Sequence, residues 1–167
     1  MFSQQSNQLW KSYFSYNEII DVEGTMGKIF AATQNTIFSK SIANSELTIH
    51  NSVTGFKSES ITAIHHSEGT NKIFAGNTNG LLVIINPDGS VTTKVDIINE
   101  VPVAPNKKKI NDFFEHNGRL YIATDYGISV IDVTTLEFIS TYFIGTSGEE
   151  TQVLQTTVLG NELYACL

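Results

Sequence analysis

The sequence is short of several things at once. It has one cysteine, Cys166, which excludes an internal disulfide and a cysteine-built zinc site. Basic residues are scarce: 10 Lys and Arg stand against 17 Asp and Glu, for a net charge of −7. Clustered positive charge is what holds a protein on nucleic acid or an anionic membrane, so neither partner is expected. Charged residues make up only 16% against 41% hydrophobic, which excludes a disordered acidic segment and a coiled coil. No apolar run approaches the roughly 18 residues that span a bilayer, so no membrane span is expected in this segment. Helical periodicity with caps is missing as well. So are the nucleophile elbow, the P-loop, the HExxH helix and the EF-hand loop. The opening MFSQQSNQLW lacks the basic and apolar regions of a secretory signal. Two readings remain for it, a cytosolic protein or a mature exported chain whose leader has been trimmed. At 167 residues the chain is one domain or a piece of one.

What is there is a repeat. Lys28 to Thr33 reads KIFAAT, Lys72 to Gly76 KIFAG, Arg119 to Thr124 RLYIAT and Glu162 to Cys166 ELYAC. Their first apolar residues, Ile29, Ile73, Leu120 and Leu163, are spaced 44, 47 and 43 residues apart. Each follows a turn, and a second turn ends in glycine at Asn79-Gly80 and Tyr126-Gly127. Between turns run short segments rich in Ile, Val, Phe, Tyr and Thr with period-two alternation, the pattern of strands. The first repeat predicts strands near 19–23, 28–33, 36–39 and 47–50. The second predicts 61–66, 72–76, 81–85 and 91–95, and the third 110–115, 119–124, 128–132 and 137–142. Asn86-Pro87-Asp88-Gly89 is a strong turn signal.

Four antiparallel strands every 40–45 residues or so make one propeller blade. A lone four-stranded sheet cannot bury both of its faces; neighbours stacked radially cover both. This accounts for Leu81 to Ile85, which is apolar on both sides. The fold class is therefore all-β: a β-propeller fragment with about three complete four-stranded antiparallel blades plus part of a fourth. The expected layout is an N-terminal segment 1–16 with a ring-closing strand around 9–14, blade 1 at 17–58, and blade 2 at 59–98. An interblade loop follows at 99–109, then blade 3 at 110–145 and partial blade 4 at 146–167. Propeller rings hold about 4–8 blades, so the chain reads as a segment of a longer propeller protein. Its open blade edges are expected to favour self-association.

Longer strings carry a resemblance. The opening WKSYFSYNEIIDVEGTMGKIFAAT (Trp10, Tyr13, Ser15, Tyr16 and Asn17 in particular), ITAIHH with NKIFAGNTNGLLVIINPDG, and INDFFEHNGRLYIATDYGISVIDVTTLEFISTYFIG resemble the N-terminal propeller of the PorZ family of the type IX secretion system. The likeness covers about residues 8–167. More loosely the repeats are similar to the propellers of two-component regulators. The resemblance implies a secreted protein associated with the cell surface or outer membrane, which favours the trimmed-leader reading of the N-terminus. It implies a non-enzymatic interaction module working with other type IX secretion proteins, among them the sortase-like protease that removes secretion signals, and binding to anionic lipopolysaccharide. The alternative it carries is an extracellular sensory propeller of a hybrid two-component regulator recognising oligosaccharides. No cofactor and no catalytic residue come with it.

The candidate contact residues are Lys107, Lys108 and Lys109, the only basic run in an acidic chain. They lie in the longest interblade loop, Asn99 to Lys109, and could dock a phosphate, an acidic sugar or a protein partner. His65 and His66 are adjacent in a strand, so their side chains point to opposite faces and do not share a metal. His50 and His116 fall near strand ends or turns. Asp21 and Asp112 occupy equivalent inner-strand positions, with Ala63 between them in the repeat. Bonding to a neighbouring blade's backbone is expected of them ahead of cation binding in a central channel. Asp125 is read as a turn former, the aromatics Trp10, Tyr13, Phe14 and Tyr16 as core, and Cys166 as a small buried residue.

Overall fold

The computed structural model describes residues 18–52, 55–56 and 60–167. The expected ring-closing strand around 9–14 and the aromatic cluster of Trp10, Tyr13, Phe14 and Tyr16 lie outside these residues. The rest forms three four-stranded antiparallel sheets and one two-stranded sheet, each in simple sequential order. The first sheet holds β1 (Asp21–Gly24), β2 (Lys28–Ala32), β3 (Ile37–Ser41) and β4 (Leu47–His50). The second holds β5 (Ile61–Ser67), β6 (Lys72–Asn77), β7 (Leu82–Ile85) and β8 (Val91–Lys94). The third holds β9 (Ile110–His116), β10 (Arg119–Thr124), β11 (Gly127–Asp132) and β12 (Phe138–Tyr142), and the last β13 (Gln155–Leu159) and β14 (Glu162–Cys166). The leading strands β1, β5, β9 and β13 lie side by side in that order, so the sheets fan out as blades from a common inner edge. The chain is a propeller fragment.

Local chemistry sets the hairpins. Asn71 (φ 53°) and the pair Asn117 and Gly118 (φ 51° and 75°) turn the chain between first and second strands; Asn and Gly adopt this left-handed region at least cost. In the Asn86 to Gly89 turn the Gly89 amide donates to the Asn86 carbonyl at 2.9 Å, and Asp88 Oδ1 accepts from the Ser90 amide at 2.9 Å. Gly80 (φ 86°) has a second reason to lack a side chain. A Cβ there would sit 2.9 Å from the Lys108 carbonyl oxygen and 2.8 Å from Ile97 Cγ2.

The core lies between blades. Phe30, Ala32 and Ile37 of the first sheet pack with Ile73, Ala75, Val83 and Ile85 of the second. From the opposite face of that second sheet, Phe74, Leu82 and Ile84 pack with Ile110, Phe113, Leu120 and Ile122 of the third. Successive residues of β6 and β7 thus enter two different cores, which is why the run is apolar throughout. Tyr121, Ala123, Ile128 and Val130 of the third sheet close the third interface with Val153 and Ala165. Burial is worth about 25 cal/mol per Å² of apolar surface, so the middle blades, covered on both faces, gain most. The outer face of the first sheet leaves Val22, Ile29, Ile42 and Leu47 between 47% and 60% exposed. Cys166, expected to be buried, is exposed: it ends the last strand of a sheet that has two strands among the described residues.

Candidate functional site

The inner strands are stitched by side chains reaching across blades. Asp21 on β1 pairs with Ala32, Ala63 on β5 with Gly76 and Asp112 on β9 with Ala123, so the three hold one register position. The Asp21 carboxylate accepts from the Ile64 amide of the next blade at 2.8 Å. Thr62 Oγ1 donates to the Ile110 carbonyl at 2.5 Å. Among the described residues Asp112 makes no such cross-blade bond. Burial raises its pKa, a bond from the Phe113 amide opposes this, and the charges of Asp21 and Glu23 add to the rise. It borders a cavity of about 370 Å³ together with Gln155, Thr156 and Tyr164.

His65 is the centre of an ionic seam. Its Nδ1 lies 3.3 Å from Glu23 on β1 and its Nε2 3.1 Å from Glu115 on β9. One imidazole ring therefore ties three blades. Burial alone would lower its pKa, but the bonds to the two carboxylates outweigh burial and hold it raised. The His65 bond likewise keeps Glu23 below its usual value, against the opposing effect of burial. His66 points the other way. It stacks on Phe30 with centroids 5.2 Å apart, and its Nε2 meets Asn71 Oδ1 at 2.9 Å. His116 stacks on Phe114, and His50 is held to a lowered pKa by burial and then by Lys28. The opposite-face reading of the histidine pair misses the seam. The signal was available, because Glu23 and His65 share a register position, opposite Phe30 and Phe74.

The lysine run does three different things. Lys107 ends a single 3-10 turn, Pro105–Lys107, and pairs with Glu150 at 2.7 Å. Lys108 is buried, and its ammonium donates to the carbonyls of Ile98 and Glu100, holding the loop folded on itself. Lys109 is half-buried, and its carbonyl accepts from the Asp125 amide at 3.1 Å. The Asp125 side chain, expected to bond its own turn, instead accepts from Asn111 at 2.8 Å and Gln152 at 2.7 Å. Among the described residues no cluster of three or more His, Cys, Asp or Glu is placed to hold a metal ion. No helix among them is long and apolar enough to cross a membrane.

Radial four-stranded sheets joined at their inner strands define a β-propeller. Residues 29–166 match the family described as "TSS9, PorZ, N-terminal beta-propeller domain", and the chain belongs to that family. Among solved structures it is similar to PorZ of Porphyromonas gingivalis, described as an essential bacterial surface component of the type IX secretion system. That match has a TM-score of 0.74 and 23% identity over 88% of this chain and 19% of the other. The extracellular domain of a putative hybrid two-component system of B. thetaiotaomicron is similar with a TM-score of 0.66 and 20% identity, over 89% of this chain and 19% of that one. That of a putative one-component system from the same organism gives 0.69 and 16%, over 95% and 20%. The chain thus spans about a fifth of the length of these relatives. No curated protein matches it in sequence.

Proposed function

We propose that this chain is a non-enzymatic recognition module of a type IX secretion component. It works at the cell surface, alongside the sortase-like protease that removes secretion signals, and its interblade loops carry the contacts. Family membership over residues 29–166 is the observation that carries this reading. The surface location of the P. gingivalis relative and the extracellular placement of the two-component propellers support it. The loop of Lys107, Lys108 and Lys109 is the proposed contact for an anionic partner such as lipopolysaccharide. Lys108 shapes the loop, so the contact falls to Lys107, which would exchange its pairing with Glu150 for the partner, and to the half-buried Lys109. The test compares wild type with K107A/K109A, which spares the buried lysine, for binding to anionic lipopolysaccharide at low and at raised salt. A loss that salt reproduces in the wild type supports the contact, and undiminished binding removes it. The exposed outer face of the first sheet supports contact between copies, which sedimentation at increasing concentration would reveal.

The second reading, a sensory propeller of a hybrid two-component regulator, draws on the similar extracellular domains of B. thetaiotaomicron. A reading frame continuing into a membrane span and a kinase selects it, and one continuing into a second propeller and a sorting-type domain selects secretion.

A further inference from the structure

The interblade loop carries a second feature besides its lysines. From Val101 to Asn106 it reads VPVAPN, a stretch without a charged residue. Val101, Pro102, Ala104 and Pro105 are all exposed, Val101 to 93%. A single aliphatic side chain in solvent needs no explanation. Here several stand together in one short stretch, and the chain holds that stretch in place.

Val101 and Pro102 are the central residues of a turn closed by the Val103 amide, which donates to the Glu100 carbonyl at 3.3 Å. Val101 and Ala104 each precede a proline, whose ring restricts the backbone before it; Ala104 lies at φ −63° and ψ 143°. Both feet of the turn are anchored. On the near side the Glu100 carboxylate accepts from Thr141 Oγ1 at 3.2 Å, and the buried Lys108 ammonium donates to the Glu100 carbonyl at 3.0 Å. On the far side Val103 is buried in the core between the second and third sheets. The Lys107 amide then donates to the Ala104 carbonyl at 2.9 Å, closing the 3-10 turn that follows. Taking an ammonium out of water is unfavourable unless it is hydrogen-bonded. In this loop that desolvation serves a turn whose apolar tip is left in solvent.

We propose that this turn is a docking tip, by which Val101 and Pro102 enter an apolar, aromatic-lined recess on a partner protein. Ala104 and Pro105 extend the uncharged contact beside them. Side chains that are stiff before binding lose little entropy on burial, so valine, alanine and proline on a clamped turn keep most of what burial gains. Proline rings pack well against aromatic faces. A glycan is disfavoured at the tip, because Asn106 is the one polar side chain from 101 to 106. The partner is the sortase-like protease of the secretion-module reading, on which this assignment rests. The test measures binding of the full-length secretion component to that protease by calorimetry, at low and at raised salt. Val101→Asp changes a side chain that already stands in solvent, so the fold tolerates it, and it should weaken binding by about tenfold or more. The neutral Val101→Ser should weaken it by a smaller factor, and raised salt should change wild-type binding little. The amide spectrum of each variant checks that the fold persists. Wild-type binding that both substitutions leave intact overturns the docking tip alone, as does wild-type binding that raised salt abolishes. A wild type that does not bind the protease overturns the docking tip together with the secretion-module reading.

Discussion

Single side chains decide how the blades are held, and His65 is the sharpest case. Its folded-state pKa lies above the usual 6.5, so its stabilisation is complete below that value and is lost as pH rises through the raised one. Glu23, held below its usual 4.5, contributes above that value and loses its contribution as pH falls through the lowered one. The seam is therefore strongest in the mildly acidic window between these two usual values. Replacing His65 with Gln should cost about 1–3 kcal/mol in that window and flatten the decline toward alkaline pH. Urea titrations at pH 5.5 and pH 8.5 read both effects, and an unchanged difference between the two pH values would exclude the seam as its source. Gly80 makes a different kind of prediction. Gly80→Ala places a methyl group against the Lys108 carbonyl at a φ of 86°. It should destabilise by about 1–3 kcal/mol, which a thermal melt would show.

At the scale of strands and loops, much of the architecture was legible in the sequence. The predicted strands end within two residues of those found, because period-two alternation and Asn/Gly turns act locally. The fold class followed from the repeat spacing. Less legible was what the loops do with charge. A run of three lysines reads as one patch, yet Lys108 turns inward to the carbonyls of Ile98 and Glu100. Nothing in the sequence marks those carbonyls as needing a donor, since their need arises only once the loop folds back. Glu115 joined the seam for a similar reason: it sits opposite Leu120, one register step from the position Glu23 and His65 share. Lys108→Met keeps the length of the stem and removes the donor. It should cost about 1–3 kcal/mol and speed proteolysis within 95–109, whereas Lys107→Ala, which breaks an exposed pair, should stay within about 1 kcal/mol of wild type. Equal effects of the two substitutions would contradict this division of roles.

For the whole molecule, cohesion is graded from the middle outward. The second sheet contributes to two cores and the third to two, while the first sheet has one uncovered face. Amide exchange should therefore be slowest in β6, β7, β10 and β11 and fastest in β4, β13 and β14, and a uniform rate across the sheets would argue against stepwise loosening. One feature of the inner strands reaches further. Asp21 bonds the backbone of Ile64 and Thr62 that of Ile110, so at each of these joints only one of the two residues needs a particular side chain. Amide and carbonyl groups survive nearly any change of residue. Mutational drift in the receiving blade is thus tolerated, and correlated substitution across these two joints is not required. A duplicated blade could slot beside a diverged neighbour and find its docking groups already waiting, an economical way for such rings to lengthen or reshuffle over evolutionary time.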